Sequence, residues 1–336
     1  MKRYISVDSG KNATKIAVYD PKTEQISVKK FRTKMSKGYF EDDAIESETM
    51  IAEIGGNVYK IGMGAMMEAE TTTSKMTDIH KNCTLLAIAR ECSENEVDEV
   101  YAAIGIPVKD YEDVLSRNAY RAFILPEGEI TVRYKESSEA PIKTKTFRIV
   151  SRDVFPETMG ALFVDGYVPD AMTAVIDIGH LNVNLTVYVG IEVDKKYSLT
   201  DVLGGNNLVT GLAQELSAAF SLCDEKTVAM VLAREGDNRC LRTVNPNPDL
   251  EKRSKEIIDE YMLNHVLEIK RKCDAKRWPV DFMNVIAIGG TSYILRNEIR
   301  EVFGQNVIIP NNPEFANAKG FLRIMIGKRL HKDIAA

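Results

Sequence analysis

The first twenty residues alternate between short apolar runs and a polar segment that contains glycine. Residues 3–7 (RYISV) and 15–19 (KIAVY) are rich in β-formers and are separated by DSGKNAT, which predicts two strands joined by a turn. Residues 173–189 (TAVIDIGHLNVNLTVYV) repeat the arrangement, with a strand ending at Asp177, a turn at Gly179 and a second strand from Asn184. Asp8 and Asp177 lie about half a chain length apart, so the pattern indicates a duplicated architecture.

The remaining periodicity predicts alternating strands and helices. The apolar run VYAAIGIPV at 100–108 is typical of a strand buried on both faces, whereas residues 30–95 are polar and indicate an insertion with an amphipathic stretch at His80–Cys92. Gly204 and Gly205 open a predicted helix, a long helix is predicted over 254–273, and a strand at 285–288 leads through Gly289 and Gly290 into another helix. The last predicted helix, 314–331, contains Gly320, for which we expect close backbone approach because alanine would otherwise favour the helix.

The chain of 336 residues exceeds one ordinary domain, so two are expected, at 1–166 and 167–336, with a boundary near 166–170. Smaller subdomains are predicted at about 30–95 and 205–284. Two lobes of this size would form a cleft between them.

Composition and charge narrow the class of protein. Apolar residues make up 44% and charged residues 28%, which is typical of a globular protein, and the absence of a long apolar run favours a cytoplasmic location. The net charge of −5, without a basic stretch interleaved with aromatics, indicates that any contact with DNA is indirect. The five cysteines are scattered and predict buried free thiols.

Three glycine turns at strand ends carry the candidate chemistry: Asp8–Lys15, Asp177–Asn184 and Gly289–Ser292. Glycine lets backbone N–H groups approach phosphate oxygens, and a carboxylate in each hairpin suits Mg2+ held largely through water. A single D-x-G is weak evidence, because both residues are common in hairpin turns. Neither a P-loop nor a dinucleotide-binding glycine motif is present.

Taken in order, the segments VDSGKNATKIAVY, VFPETMGAL, AVIDIGHLNVNLTVY, GGNNLVTGLAQEL, VIAIGGTSYIL and NNPEFANAKGFL resemble the ParM/StbA family of plasmid-segregation actins. That family belongs to the superfamily of actins, sugar kinases and heat-shock chaperone ATPases. The resemblance implies an α/β actin-like ATPase fold of two related domains. Each would have a five-stranded mixed sheet flanked by helices, with the nucleotide in the interdomain cleft, and the helix at 314–331 would pack back on the first domain.

The resemblance also implies roles for individual residues. The catalytic set is Glu157, which would orient the attacking water, with Asp177 and Asp8, and these two aspartates would also bind Mg2+. The residues implied to bind the nucleotide are Asp8, Ser9, Gly10, Lys11, Asn12, Lys15, Asp177, Gly179, His180, Asn182, Gly204, Gly205, Gly289, Gly290 and Thr291.

Some of these positions have simpler interpretations, and some depart from the family pattern. Glu157 could complement the dipole of a helix that starts there, Lys15 could be an outward strand residue, and His180 could be only a turn residue. His180, Asn182 and Asn184 depart from the family pattern, as do Lys11, Asn12 and Ala13 in the first turn.

The implied function is an ATPase that polymerises with ATP into filaments, disassembles after hydrolysis and segregates plasmid DNA through a centromere-binding adaptor. GTP is left open as an alternative nucleotide. Two other functions of the superfamily also remain open: a small-molecule kinase, and a rod-shape actin at the membrane, for which no amino-terminal amphipathic anchor is visible.

Overall fold

A computed structural model describes residues 1–41, 45–68, 74–164, 167, 172–221, 223–245 and 247–330 of the chain. These residues form two compact units, one from the described parts of Met1–Val168 and Phe315–Ala336, the other from those of Pro169–Glu314. The boundary predicted near 166–170 falls, apart from residue 167, outside the described residues.

The strands of the first unit are β1 (Lys2–Ser9), β2 (Ala13–Asp20), β3 (Gln25–Arg32), β4 (Lys34–Lys37), β5 (Thr49–Ile54), β6 (Asn57–Gly62), β7 (Met67–Glu68), β8 (Asp98–Ile106), β9 (Glu129–Lys135) and β10 (Lys143–Pro156). Those of the second unit are β11 (Met172–Ile178), β12 (Val183–Val189), β13 (Glu192–Asp201) and β14 (Asn284–Ile288).

The described α-helices are α1 (Asp78–Ala89), α2 (Val108–Glu112), α3 (Val114–Ile124), α4 (Gly205–Ala219), α5 (Glu225–Leu232), α6 (Pro248–Ala275), α7 (Gly290–Ile294), α8 (Arg296–Phe303) and α9 (Ala316–Leu330). A short 3-10 helix, Met159–Phe163, follows β10. None of the helices in the described part of the chain is long and apolar enough to cross a membrane.

The sheet of the first unit is sorted into two faces by the alternation of side chains along its strands. Ile5 and Val7 of β1 pack into the core that contains α1, whereas Tyr4 of the same strand packs into the core that contains α9. Strand β8 lies parallel to both β1 and β10. The carboxyl ends of β1 and β10 therefore lie at the same edge of the sheet.

The actin-like fold of mixed sheets flanked by helices is confirmed, but the expectation of five strands in each sheet is wrong. The sheet of the first unit has ten described strands and that of the second has four. The cause in the first unit is the length of β10, whose start pairs with β9 and whose end pairs with β8, with a register shift between Ile149 and Ser151. Segments of the predicted insertion thereby extend the main sheet. In the second unit, Ile308 joins Ile286 of β14 as an isolated parallel bridge.

In the second unit, α4, α6 and α8 bury their apolar faces against the sheet. The leucines predicted to face inward, Leu208, Leu212 and Leu216, are all buried. Helix α6 begins earlier than predicted because Asn247 caps it, accepting a hydrogen bond from the Leu250 N–H, and Pro248 occupies the first helical position. All five cysteines are free and buried, as predicted.

Helix α9 packs on the sheet of the first unit at a position fixed by two glycines. A Cβ on Gly320 would lie 2.1 Å from the Gly160 carbonyl oxygen, and a Cβ on Gly160 would lie 2.5 Å from Asn317 Cα. Such distances leave room only for hydrogen, so the close approach predicted for Gly320 is confirmed.

The substitution Gly320→Ala is expected to lower the free energy of unfolding by about 1–3 kcal/mol, because overpacking outweighs the higher helix propensity of alanine. Urea unfolding measures this. Gly327→Ala makes the same chemical change at a partly exposed position of the same helix, and is expected to be neutral or stabilising because alanine has the higher helix propensity. Equal stability of Gly320→Ala and the wild type would contradict the close packing.

Candidate phosphate-binding turns and their buried charges

The first predicted phosphate turn connects β1 to β2. Asp8 lies opposite Lys15 in the strand register, and the Gly10 N–H donates to the Ala13 carbonyl at 3.1 Å. Asp8 is only 5% exposed. Its Oδ2 lies 3.4 Å from Lys15 Nζ, so the side chain of Lys15 is directed to the turn rather than outward from the strand.

The second turn, between β11 and β12, has the same backbone arrangement. Asp177 lies opposite Asn184, and the Gly179 N–H donates to the Asn182 carbonyl at 2.9 Å. The residue opposite the aspartate differs, because it is Lys15 in the first hairpin and Asn184 in the second. The side chain of Asn184 accepts a hydrogen bond from Thr200 Oγ1 at 2.8 Å. The two hairpins thus share a turn geometry but not the charge beside it.

Three glycine segments predicted for the second unit meet at the Gly179 carbonyl. It accepts hydrogen bonds from the Gly205 N–H at 2.9 Å and from Thr291 Oγ1 at 3.1 Å. A Cβ on Gly205 would lie 2.5 Å from Thr291 Oγ1, and one on Gly289 would lie 2.6 Å from Asp177 Oδ1. Close backbone approach therefore requires glycine at both positions.

The other predicted nucleotide residues surround these turns. His180 is exposed, and its carbonyl accepts from the Asn206 N–H at 2.6 Å. Gly204 precedes α4, and a Cβ there would lie 2.6 Å from the Asn182 nitrogen. Gly290, which is exposed, begins α7.

In the first turn the side chains contact protein groups. Ser9 Oγ lies 3.2 Å from Thr14 Oγ1, and the Asn12 side chain accepts a hydrogen bond from Arg32. Lys11 Nζ donates to the Ser74 carbonyl at 2.8 Å.

Glu157 is buried beside the first turn, in an environment that the sequence did not indicate. It follows the end of β10, where its N–H donates to the Ile106 carbonyl at 2.7 Å, and it precedes Thr158, which has a left-handed φ of 78°. The helix expected to start at Glu157 is a short 3-10 helix that begins at Met159, because β10 continues to Pro156. The carboxylate instead forms an ion pair with Lys75, whose Nζ is 2.5 Å from Glu157 Oε1.

Lys75 also contacts the first turn, with its Nζ 3.5 Å from Asp8 Oδ1. Burial alone would raise the pKa of Asp8, but the charges of Lys15 and Lys75 outweigh it and hold the pKa below its ordinary value. Burial alone would lower the pKa of Lys75, but Glu157 and Asp8 raise it above its ordinary value. The cluster of Asp8, Lys15, Lys75 and Glu157 thus places two carboxyl groups beside two lysine side chains.

Within each unit, the residues of the turn fit a phosphate group and a hydrated Mg2+ ion. Among the described residues, no group of three or more His, Cys, Asp and Glu side chains could enclose a metal ion. A single carboxylate such as Asp8 or Asp177 would suit an ion that keeps most of its water, rather than one that needs a full protein ligand set. Lys15 and the backbone of the turns are suited to anionic oxygens.

Comparisons with known proteins agree with this fold. Residues 6–160 match the family described as the N-terminal domain of actin like proteins. No curated protein matches the sequence significantly.

Solved structures extend the agreement over nearly the whole chain. An Alp12 filament structure has a TM-score of 0.71 at 22% identity, covering 97% of this chain and 99% of that one. The archaeal actin homologue Ta0583 in complex with ADP has a TM-score of 0.67 at 15% identity, covering 95% and 98%. A 15-stranded ParM filament from Clostridium botulinum has a TM-score of 0.67 at 17% identity, covering 96% and 99%. The chain therefore has the actin-like fold, and its residues 6–160 are similar to the actin-like family, in agreement with the resemblance predicted from its sequence.

Lys75 was missed by sequence reasoning because it lies in a polar segment without a glycine or strand signal. Its neighbour His80, on α1, was predicted only as part of an amphipathic stretch. His80 is fully buried, and its Nδ1 lies 2.7 Å from Thr77 Oγ1. Burial, reinforced by the charges of Lys75 and Lys11 and opposed by Asp8, lowers the pKa of His80 to about 3.

This pKa predicts a pH-dependent stability. Folded His80 remains neutral while the unfolded chain binds a proton below about 6.5, so its contribution is present at pH 7 and is lost as pH falls from 6.5 towards 3. Measured by urea unfolding, the free energy of unfolding of the wild type is expected to fall by up to about 2 kcal/mol more than that of His80→Asn between pH 7 and pH 5. Equal losses in the two proteins would contradict a buried neutral imidazole.

Proposed function

We propose that this chain is an ATPase of the ParM type that forms filaments with ATP and segregates plasmid DNA. The observation that carries the proposal is the repeated turn, in which an aspartate and a glycine have the same register and the same backbone hydrogen bond in each unit. In this proposal the two turns bind the phosphates of one Mg-ATP, with Asp8 and Asp177 holding Mg2+ through water.

The buried charges of the first unit support hydrolysis. Phosphoryl transfer to water depends mainly on positioning and on compensation of charge. Lys15 would compensate charge on the phosphates, and Glu157 would accept a hydrogen bond from the attacking water. The nucleotide segments around Gly179, Gly205 and Thr291 would receive the rest of the ligand.

Filament formation is the second part of the proposal. ATP bound by both turns would favour one arrangement of the protein by its differential affinity, and hydrolysis would remove that preference. A surface contact that does not close into a ring continues as an open helical filament. Alp12 and the Clostridium botulinum ParM, which have the same fold, are described as filaments.

The cellular role follows from the same comparison and from charge. With a net charge of −5, the chain would reach plasmid DNA through a centromere-binding adaptor protein rather than directly. The filament would operate in the cytoplasm, growing with ATP bound and disassembling after hydrolysis.

Polymerisation with Mg-ATP is the first test. We expect light scattering to rise above a threshold protein concentration only with Mg-ATP, and electron microscopy of the same samples to show filaments. Asp8→Ala and Asp177→Ala should each weaken nucleotide binding, because each removes one carboxylate of the proposed Mg2+ site. Flat scattering, with ATP turnover stimulated by a metabolite and without a concentration threshold, would instead identify a small-molecule kinase.

Hydrolysis is tested separately with Glu157→Gln. Phosphate release is expected to fall about 100-fold, since positioned acid–base groups contribute at least this much, while assembly with ATP is retained. Filaments of the variant should persist after dilution, whereas those of the wild type shorten. Glu127→Gln, which changes an exposed glutamate of the same unit, is the matched control. If Glu157→Gln released phosphate at the rate of the wild type, Glu157 would have no part in the proposed hydrolysis.

A further inference from the structure

Lys75 is a buried lysine whose contacts join two residues of the proposed hydrolytic site. It is 7% exposed, its ammonium lies 2.5 Å from Glu157 Oε1 and 3.5 Å from Asp8 Oδ1, and it precedes α1. Lysine is almost never buried without partners, because desolvation of its charge is costly. The fold therefore holds this ammonium in place between the phosphate turn and the glutamate.

The segment that carries Lys75 is itself held by the phosphate turn. The Lys11 ammonium donates to the carbonyl of Ser74, the residue before Lys75, at 2.8 Å. On the other side, Thr77 contacts His80 in the first turn of α1. Lys75 is thus fixed at both ends, unlike a surface lysine with free rotation.

Glu157 has a fixed backbone, and its carboxylate is held by the lysine. Its N–H is bonded to Ile106, and the next residue, Thr158, is in a left-handed conformation that is uncommon for a β-branched residue. The Thr158 N–H donates to Asn317 Oδ1 of α9 at 3.2 Å. A glutamate side chain nevertheless retains rotatable bonds, and the ion pair with Lys75 restrains them.

We propose that Lys75 is a positioning residue for hydrolysis, whose ammonium holds the Glu157 carboxylate beside the Asp8 turn so that it can orient the attacking water. The inference rests on the proposed function, which it deepens. Besides Lys75, the charged and titratable groups of the surrounding elements are Asp8, Lys11, Lys15, His80, Asp110 and Tyr120. Among these, Lys75 and Lys15 contact different oxygens of Asp8. In the proposal, Lys15 interacts with the phosphates and Lys75 holds Glu157.

The test compares Lys75→Met, Lys75→Arg, Glu157→Gln and the double variant Lys75→Met/Glu157→Gln. Phosphate release per polymerised subunit gives kcat, and fluorescent ATP binding gives nucleotide affinity. We expect Lys75→Met to lower kcat about 100-fold, as misplacement of a catalytic group by about 1 Å does, with a smaller loss of affinity. Lys75→Arg should restore part of kcat. The double variant should be no slower than Glu157→Gln alone, because Lys75 acts through Glu157.

Lys145→Met is the matched control, because Lys145 is also 7% exposed and pairs with Glu94, 3.1 Å away, in the same unit. It should leave kcat unchanged. A kcat of Lys75→Met equal to that of the wild type would overturn the proposal. The proposal would also be overturned if Lys75→Met lowered kcat by the same factor in the Glu157→Gln background as in the wild type. Lys75 would then act on the nucleotide itself.

Urea unfolding without nucleotide separates failure of this inference from failure of the proposed function. The destabilisation of the double variant should be smaller than the sum of the two single effects, since the pair is in direct contact. Additive effects would overturn the contact and with it the positioning role. Non-additive destabilisation would establish the ion pair even if the wild-type protein did not hydrolyse ATP. Absence of hydrolysis by the wild type would overturn the proposed function, and with it the role of Lys75 in hydrolysis.

Discussion

The pairing of Asp8 and Glu157 with two lysines is the constraint on which the first unit depends. A buried carboxylate without a partner is strongly destabilising, so each of these charges requires the others. The four residues come from β1, β2, the segment before α1 and the residue after β10, and the pairing therefore ties distant parts of the chain together. Parallel pairing of β1 and β10 with β8 makes this feasible, because the carboxyl ends of those strands share an edge.

Features set by local turn chemistry could be predicted from the sequence. The two D-x-G hairpins, the glycine-led start of α4 and the glycine turn after β14 were all predicted, because glycine and aspartate at strand ends have few alternatives. The structure brings Gly179, Gly205 and Thr291 into contact. Their assignment to nucleotide remains a prediction from family resemblance.

Features that depend on tertiary pairing could not be predicted. The predicted number of strands was wrong because β10 pairs with β9 at its start and with β8 towards its end. A local sequence pattern does not indicate this pairing. Glu157 was placed at a helix start because Pro156 favours one, but β10 continues to this proline and the 3-10 helix begins only at Met159. The sequence did not indicate Lys75, because a lysine in a polar segment gives the same pattern whether its ammonium is solvated or buried.

The contact of Asn317 with the Thr158 N–H gives the last helix of the chain an influence beyond packing. Because Gly160 and Gly320 leave no clearance, the helix cannot slide or rotate there without displacing the backbone next to Glu157. In the proposed function, a displacement of this helix would therefore also shift the carboxylate that orients the attacking water. Turnover would then depend on the packing of the last helix as well as on the two glycine turns.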